Sequence, residues 1–125
     1  MTNETKKAKA IRKTIELFEQ MKDVDLKKFY KDNKELEKSN GYLSSIELKT
    51  QLDPKTKDQV NHCYLCTIWF QDNDPCYGCP LEEEGEGCNI TDSVWSMIDF
   101  GFDDMEQDRY ENGCRELLRL VKLYA

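Results

Sequence analysis

The chain has 125 residues, of which 38% are hydrophobic and 34% charged, and a net charge of −7. That supply of apolar side chains suffices for one modest core, which a metal staple would help a chain this polar to complete. It excludes a membrane-spanning helix, because no apolar run approaches the roughly 20 residues a bilayer crossing needs.

The first ten residues are polar and Lys-rich and lack the apolar core of an export signal, so the expected setting is the cytoplasm. Residues 5–22 read as a helix: Ala8, Ile11, Ile15 and Phe18 recur at helical spacing with Lys and Glu on the other side. Asp23 and Asp25 interrupt it, and an Asp here can cap a second helix carrying Leu26, Phe29 and Leu36 to about Lys38. Asn40-Gly41 stops that helix, since both residues tolerate the left-handed conformation. The two helices form a hairpin. Residues 42–60 are ambiguous between a short helix and an extended segment, with a turn at Asp53-Pro54. Residues 61–90 hold five of the six cysteines and two of the three prolines, which predicts loops and short turns organised around a metal. A short helix over 91–100 follows, with Val94, Trp95 and Ile98 on one face, Thr91 or Asp92 as its cap and Gly101 as its end. The strongest periodicity lies in 106–124, where Tyr110, Cys114, Leu117, Leu118, Val121 and Tyr124 share one stripe. The expected fold class is therefore mainly α, with little or no sheet. Residues 1–60 form the hairpin and connector, residues 61–125 the cysteine-rich region and last helix, together making one domain.

The cysteines carry the clearest chemistry. Cys63-x2-Cys66 and Cys76-x2-Cys79 are separated by nine residues. One tight turn of this kind presents two sulfurs to one ion and leaves backbone amides to hydrogen-bond the thiolates. Two turns complete a tetrahedral set, so Cys63, Cys66, Cys76 and Cys79 are the expected ligands of a structural zinc. Cys88 is an alternative ligand in place of Cys76 or Cys79. His62 adjoins Cys63, and adjacent residues seldom both reach one ion. The same thiolates also suit an iron–sulfur cluster, and the Cys79-Pro80 step fits that alternative. A disulfide framework belongs to exported chains. A thioredoxin-like motif needs a strand–helix alternation that is absent here. Cys114 falls on the apolar stripe of the last helix and reads as a small buried hydrophobe. Tyr64, Leu65, Ile68, Trp69, Phe70, Leu81 and Trp95 are expected to seal the site.

Charge is distributed unevenly. Residues 1–60 carry 14 Lys/Arg against 11 Asp/Glu, a balance of +3, and residues 61–125 carry 4 against 14, a balance of −10. Between Lys57 and Arg109 no basic residue occurs. Such a surface repels phosphates and attracts a basic protein surface.

The knuckles Cys63-Tyr64-Leu65-Cys66 and Cys76-Tyr77-Gly78-Cys79-Pro80-Leu81, the later Gly87-Cys88, Trp95 and the final amphipathic helix together resemble a group of small cysteine-rich proteins common in bacteriophage genomes. The resemblance covers about residues 62–125 and leaves the N-terminal hairpin unmatched. It implies a phage or prokaryotic context and a shared metal core, with the cysteines as candidate ligands.

These features predict a zinc-stabilised acidic interaction module, a regulator or inhibitor that binds a basic surface of host nucleic-acid-handling machinery such as a polymerase, nuclease or CRISPR effector. One alternative is a zinc-knuckle nucleic-acid-binding protein using Lys6, Lys7, Lys9, Arg12, Lys13, Lys27, Lys28 and Lys31. The other is an iron–sulfur electron-transfer protein. An enzyme is not expected: there is one histidine, no phosphate-cradling glycine loop and no nucleophile–base arrangement.

Overall fold

A computed structural model describes residues 4–59, 63–69 and 93–125. Those residues form a mainly-α fold: α1 (Lys6–Met21), α2 (Leu26–Asp32), α3 (Lys34–Asn40), α4 (Ser45–Leu52), a 3₁₀ turn (Pro54–Asp58), α5 (Tyr64–Trp69), α6 (Val94–Asp103) and α7 (Gln107–Lys122). No strand occurs among the described residues. None of their helices is long and apolar enough to cross a membrane.

Local chemistry sets most of the boundaries. The Thr5 side chain caps α1 by accepting from the Ala8 amide, and Asp25 caps α2 through the Lys28 amide. Ser44 and Glu47 form a reciprocal capping box that opens α4, so the ambiguous 42–60 segment resolves into a helix and a 3₁₀ turn. Gly41, with φ +83°, ends α3 in the left-handed region.

Three boundaries differ from the sequence expectation. The second helix of the hairpin is broken in two at Asn33 (φ −118°, ψ 25°). Its side-chain amide donates to the Phe29 carbonyl, and its Oδ1 accepts from Gln51 of α4. Gly101 does not end α6, which continues to Asp103 with Ser93 at its N-cap position. The stop is Met105, whose φ of 53° is left-handed. The Glu106 amide donates to the Gly101 carbonyl and the Met105 amide to Phe102, the paired bonds of a Schellman cap. Tyr124 leaves the stripe: it lies beyond α7 and is 39% exposed.

The core is built where α6 and α7 fold back on each other and α1 lies across them. Phe18, Met21, Ile98, Phe102, Tyr110, Leu117 and Val121 are all buried in it, each contributing roughly 1.5–3 kcal/mol by burial. α1 and α7 run in opposite directions. Tyr110, at the start of α7, donates its phenol to the Met21 carbonyl at the end of α1 (2.7 Å). Ala8 and Ile11 lie beside Tyr124 and Ala125 at the other end. α2 is clamped to the α6–α7 corner by Tyr30 Oη to the Phe102 carbonyl (3.0 Å) and by Gln107, which bonds the Leu26 amide and the Val24 carbonyl. α4 and α5 pack on the remaining flank of α1.

Candidate metal centre

α5 and the residue just before it carry the first cysteine pair. The position of the helix is fixed from three sides. Leu65 is buried in the core. Tyr64 donates its phenol to Asp53 Oδ2 (2.6 Å), ahead of the 3₁₀ turn. Trp69 lies under the Lys7 ammonium of α1, 5.8 Å from the ring centroid. Burial, followed by the Asp53 carboxylate, pushes the Tyr64 phenol up, so it stays a donor.

Cys63 stands just before α5 and Cys66 in its first turn. Cys63 is half-buried and Cys66 buried; neither is bridged to the other or to Cys114. The neighbouring Cys66 thiol holds the Cys63 thiol below its ordinary value, against the opposing effect of burial. The Lys49 charge and the backbone amides of Cys66 and Leu65 act in the same direction. The spacing places both sulfurs at the start of one short helix, where a pair of thiolates could supply two of the four donors of a tetrahedral site. Cys76, Cys79 and Cys88 lie outside the described residues, as do His62, Phe70 and Leu81. Among the described residues, no group of three His, Cys, Asp or Glu side chains is placed to hold a metal.

The residues expected to seal the site differ in burial. Leu65 and Trp95 are buried, while Tyr64, Ile68 and Trp69 are half-buried. Cys114 is fully buried on α7, and burial pushes its thiol up to about 12, which keeps it protonated and unreactive.

The cysteine pair opens onto a cavity of about 420 Å³ whose wall also includes Lys49, Trp95, Asp99 and Asp103. Lys49 is 6% exposed and rests its ammonium 4.8 Å from the Trp95 ring centroid. Its burial is not legible in the sequence, because a lysine in a polar segment carries no mark of it. Asp99 accepts from the Ser45 hydroxyl (2.7 Å). Burial raises the Asp103 carboxyl, and the nearby Asp99 and Asp104 charges add to the shift.

Two charged surfaces flank this region. On α6 and at its C-cap, Asp99, Asp103 and Asp104 are exposed, and none is ion-paired among the described residues. On the other flank, Lys6, Lys9 and Lys13 of α1 converge with Lys55 on a groove of about 240 Å³ that Tyr64 and Ile68 also line. Comparisons with protein-family models, with curated proteins and with solved structures give no match for this chain.

Proposed function

We propose that this chain is a zinc-stabilised acidic protein-interaction module that binds a basic surface on a partner protein. The observation that carries the reading is the acidic face of α6. Several acids of the N-terminal half are matched by bases: Glu4 and Glu16 by Arg12, Glu19 by Lys122, Asp23 by Lys22. Asp99, Asp103 and Asp104 have no such partner among the described residues, and their mutual repulsion contributes to the rise in the Asp103 carboxyl. Unneutralised charge of one sign on a rigid helix is suited to steering and docking a surface of the opposite sign. Phe100, 54% exposed on the same helix, supplies an apolar contact of the kind that anchors an interface.

Cys63 and Cys66 hold the zinc together with Cys76 and Cys79, or with Cys88 in place of one of the latter two. The ion's part is structural: it replaces the apolar core that a polar region of this composition lacks. The role is binding rather than catalysis, in the cytoplasm of a phage-infected or prokaryotic cell. The partner is host machinery whose basic groove normally receives phosphates. The resemblance of the two knuckles to small phage proteins supports that context.

Elemental analysis and an absorption spectrum of protein purified without oxygen test the metal. One zinc per chain and no visible band are expected; iron with a brown absorption would instead establish an iron–sulfur centre. The partner is tested by capture from host lysate with the full chain and with a variant carrying Asp99→Asn, Asp103→Asn and Asp104→Asn. Capture that weakens with salt and is lost in the variant is expected. Capture unaffected by the three substitutions would sink the acidic-face assignment.

A second reading has its own observation. The lysines around the α1 groove include Lys55 from a distant segment, which makes a better phosphate-binding surface than the helical lysines alone. A salt-sensitive gel shift, abolished by Lys9→Glu and Lys55→Glu, would move the assignment to nucleic-acid binding. The groove gathers Lys6, Lys9 and Lys13 but not Lys27, Lys28 or Lys31.

A further inference from the structure

Lys49 is a buried cation with no adjacent counter-charge among the described residues. Its ammonium packs on Trp95 at 4.8 Å and Phe18 at 5.9 Å from the ring centroids. Among the described residues, no carboxylate lies within 4.0 Å of it. Asp99 and Asp103 border the same cavity, but both are exposed to solvent, and Asp99 is engaged by Ser45. Two ring faces recover only part of what an ammonium loses on leaving water. Burial of Lys49 therefore calls for a further negative group on the cavity wall. Among the described residues, the other ionisable side chains of that wall are the thiols of Cys63 and Cys66.

A divalent ion held by four thiolates leaves a net double negative charge. In a partly desolvated pocket that charge opposes metal uptake unless a cation stands nearby. We propose that Lys49 is the counter-cation of the metal–thiolate centre: held on Trp95 in the cavity that Cys63 and Cys66 line, it offsets the excess negative charge and raises the affinity of the site for metal. This rests on the metal reading above. It assigns Lys49 as a positioning and charge-balancing residue that is not itself a ligand. Trp95 is its platform, which gives that buried ring a role beyond packing.

The test is zinc competition against a chromophoric chelator, using the full chain and its Lys49→Met, Lys49→Gln and Lys49→Arg variants. The two neutral variants are expected to lose roughly 10- to 100-fold in zinc affinity, as outer-shell substitutions do, and the Arg variant to keep it within about threefold. The cobalt(II)-substituted proteins should show the same thiolate absorption bands throughout, because the ligands are unchanged. Retention of affinity by the Arg variant with loss in both neutral variants separates charge balance from packing, because Met and Gln keep most of the side chain's length and lack its charge. Parent protein that binds no zinc would overturn the metal reading and this assignment with it. Parent protein that binds zinc, with neutral variants that bind it equally tightly, overturns this assignment alone. If Lys49→Met does not fold, Lys49→Gln decides. Failure of both to fold assigns Lys49 to packing and overturns the proposal.

Discussion

Gly101 lies so close to Tyr110 that a Cβ built on it would stand 2.6 Å from the Tyr110 backbone nitrogen and 2.9 Å from its Cα. Those are main-chain atoms and cannot rotate aside as a side-chain tip would. Tyr110 is also pinned from its other end by the bond to Met21. On helix propensity alone, Gly101→Ala inside α6 would stabilise by about 1 kcal/mol. The contact reverses the sign. The variant is expected to lose about 2–3 kcal/mol, the cost of overpacking a tight site, read as a lower urea midpoint. An unchanged or higher midpoint would show that the α6–α7 corner opens without penalty.

Met105 offers the opposite case. It holds a left-handed conformation in the Schellman cap between α6 and α7, at φ 53°, and its side chain is 48% exposed. A residue with a Cβ is strained there, by roughly 1–2 kcal/mol, and glycine is not. Glycine is more flexible when unfolded, which returns part of the gain. Met105→Gly should therefore stabilise the protein by about 0.5–1 kcal/mol, seen as a rise in Tm. A fall would mean that the methionine side chain contributes more by packing than its backbone costs.

These two positions also show what the sequence could and could not convey. α1 and α7 were legible because their apolar stripes are long and their neighbours polar. Ser44 and Glu47 have the spacing of a capping box, a purely local signal, although the 42–60 segment as a whole read ambiguously. The break at Asn33 depends on Gln51, and the passage of α6 through Gly101 depends on Tyr110. Such partners are remote in sequence, so a glycine that permits close approach reads the same as one that ends a helix. The candidate site divides in the same way. The Cys63–Cys66 pair follows from spacing, whereas the burial of Lys49 is produced by Trp95 and Phe18 arriving from other helices.

Asp103 gives a pH-dependent test. Burial and the charges of Asp99 and Asp104 raise its carboxyl above the ordinary carboxylate value, so the folded state binds this proton more tightly than the unfolded chain. The penalty is absent below the unfolded value. It grows as pH rises through the raised folded value and is complete above it. Asp103→Asn should thus be the more stable protein near pH 7, by at most about 0.5 kcal/mol because the group is exposed and screened. The advantage should disappear at about pH 3 and shrink in roughly 1 M salt. Paired thermal melts of parent and variant check this. A gain that persists at low pH would trace the effect to shape rather than charge.

Cys114 and Cys63 should respond to the same substitution in different ways. Cys114 is completely enclosed on α7 and its thiol is pushed up to about 12, so near pH 8 it carries almost no thiolate and should resist alkylation until the chain unfolds. Cys114→Ser places a hydroxyl in that enclosed position and is expected to cost about 1–3 kcal/mol while leaving the zinc content unchanged. Cys63 instead presents a sulfur that the Cys66 thiol, the Lys49 charge and the Cys66 and Leu65 amides favour as a thiolate, against the opposing effect of burial. Cys63→Ser should lose the metal and with it most of the cooperative unfolding transition, because binding of a structural ion is coupled to folding. Elemental analysis and thermal melts of the two variants side by side make the comparison. A Cys63→Ser protein that keeps one zinc per chain and the parent's Tm would show that α5 is not part of the metal centre.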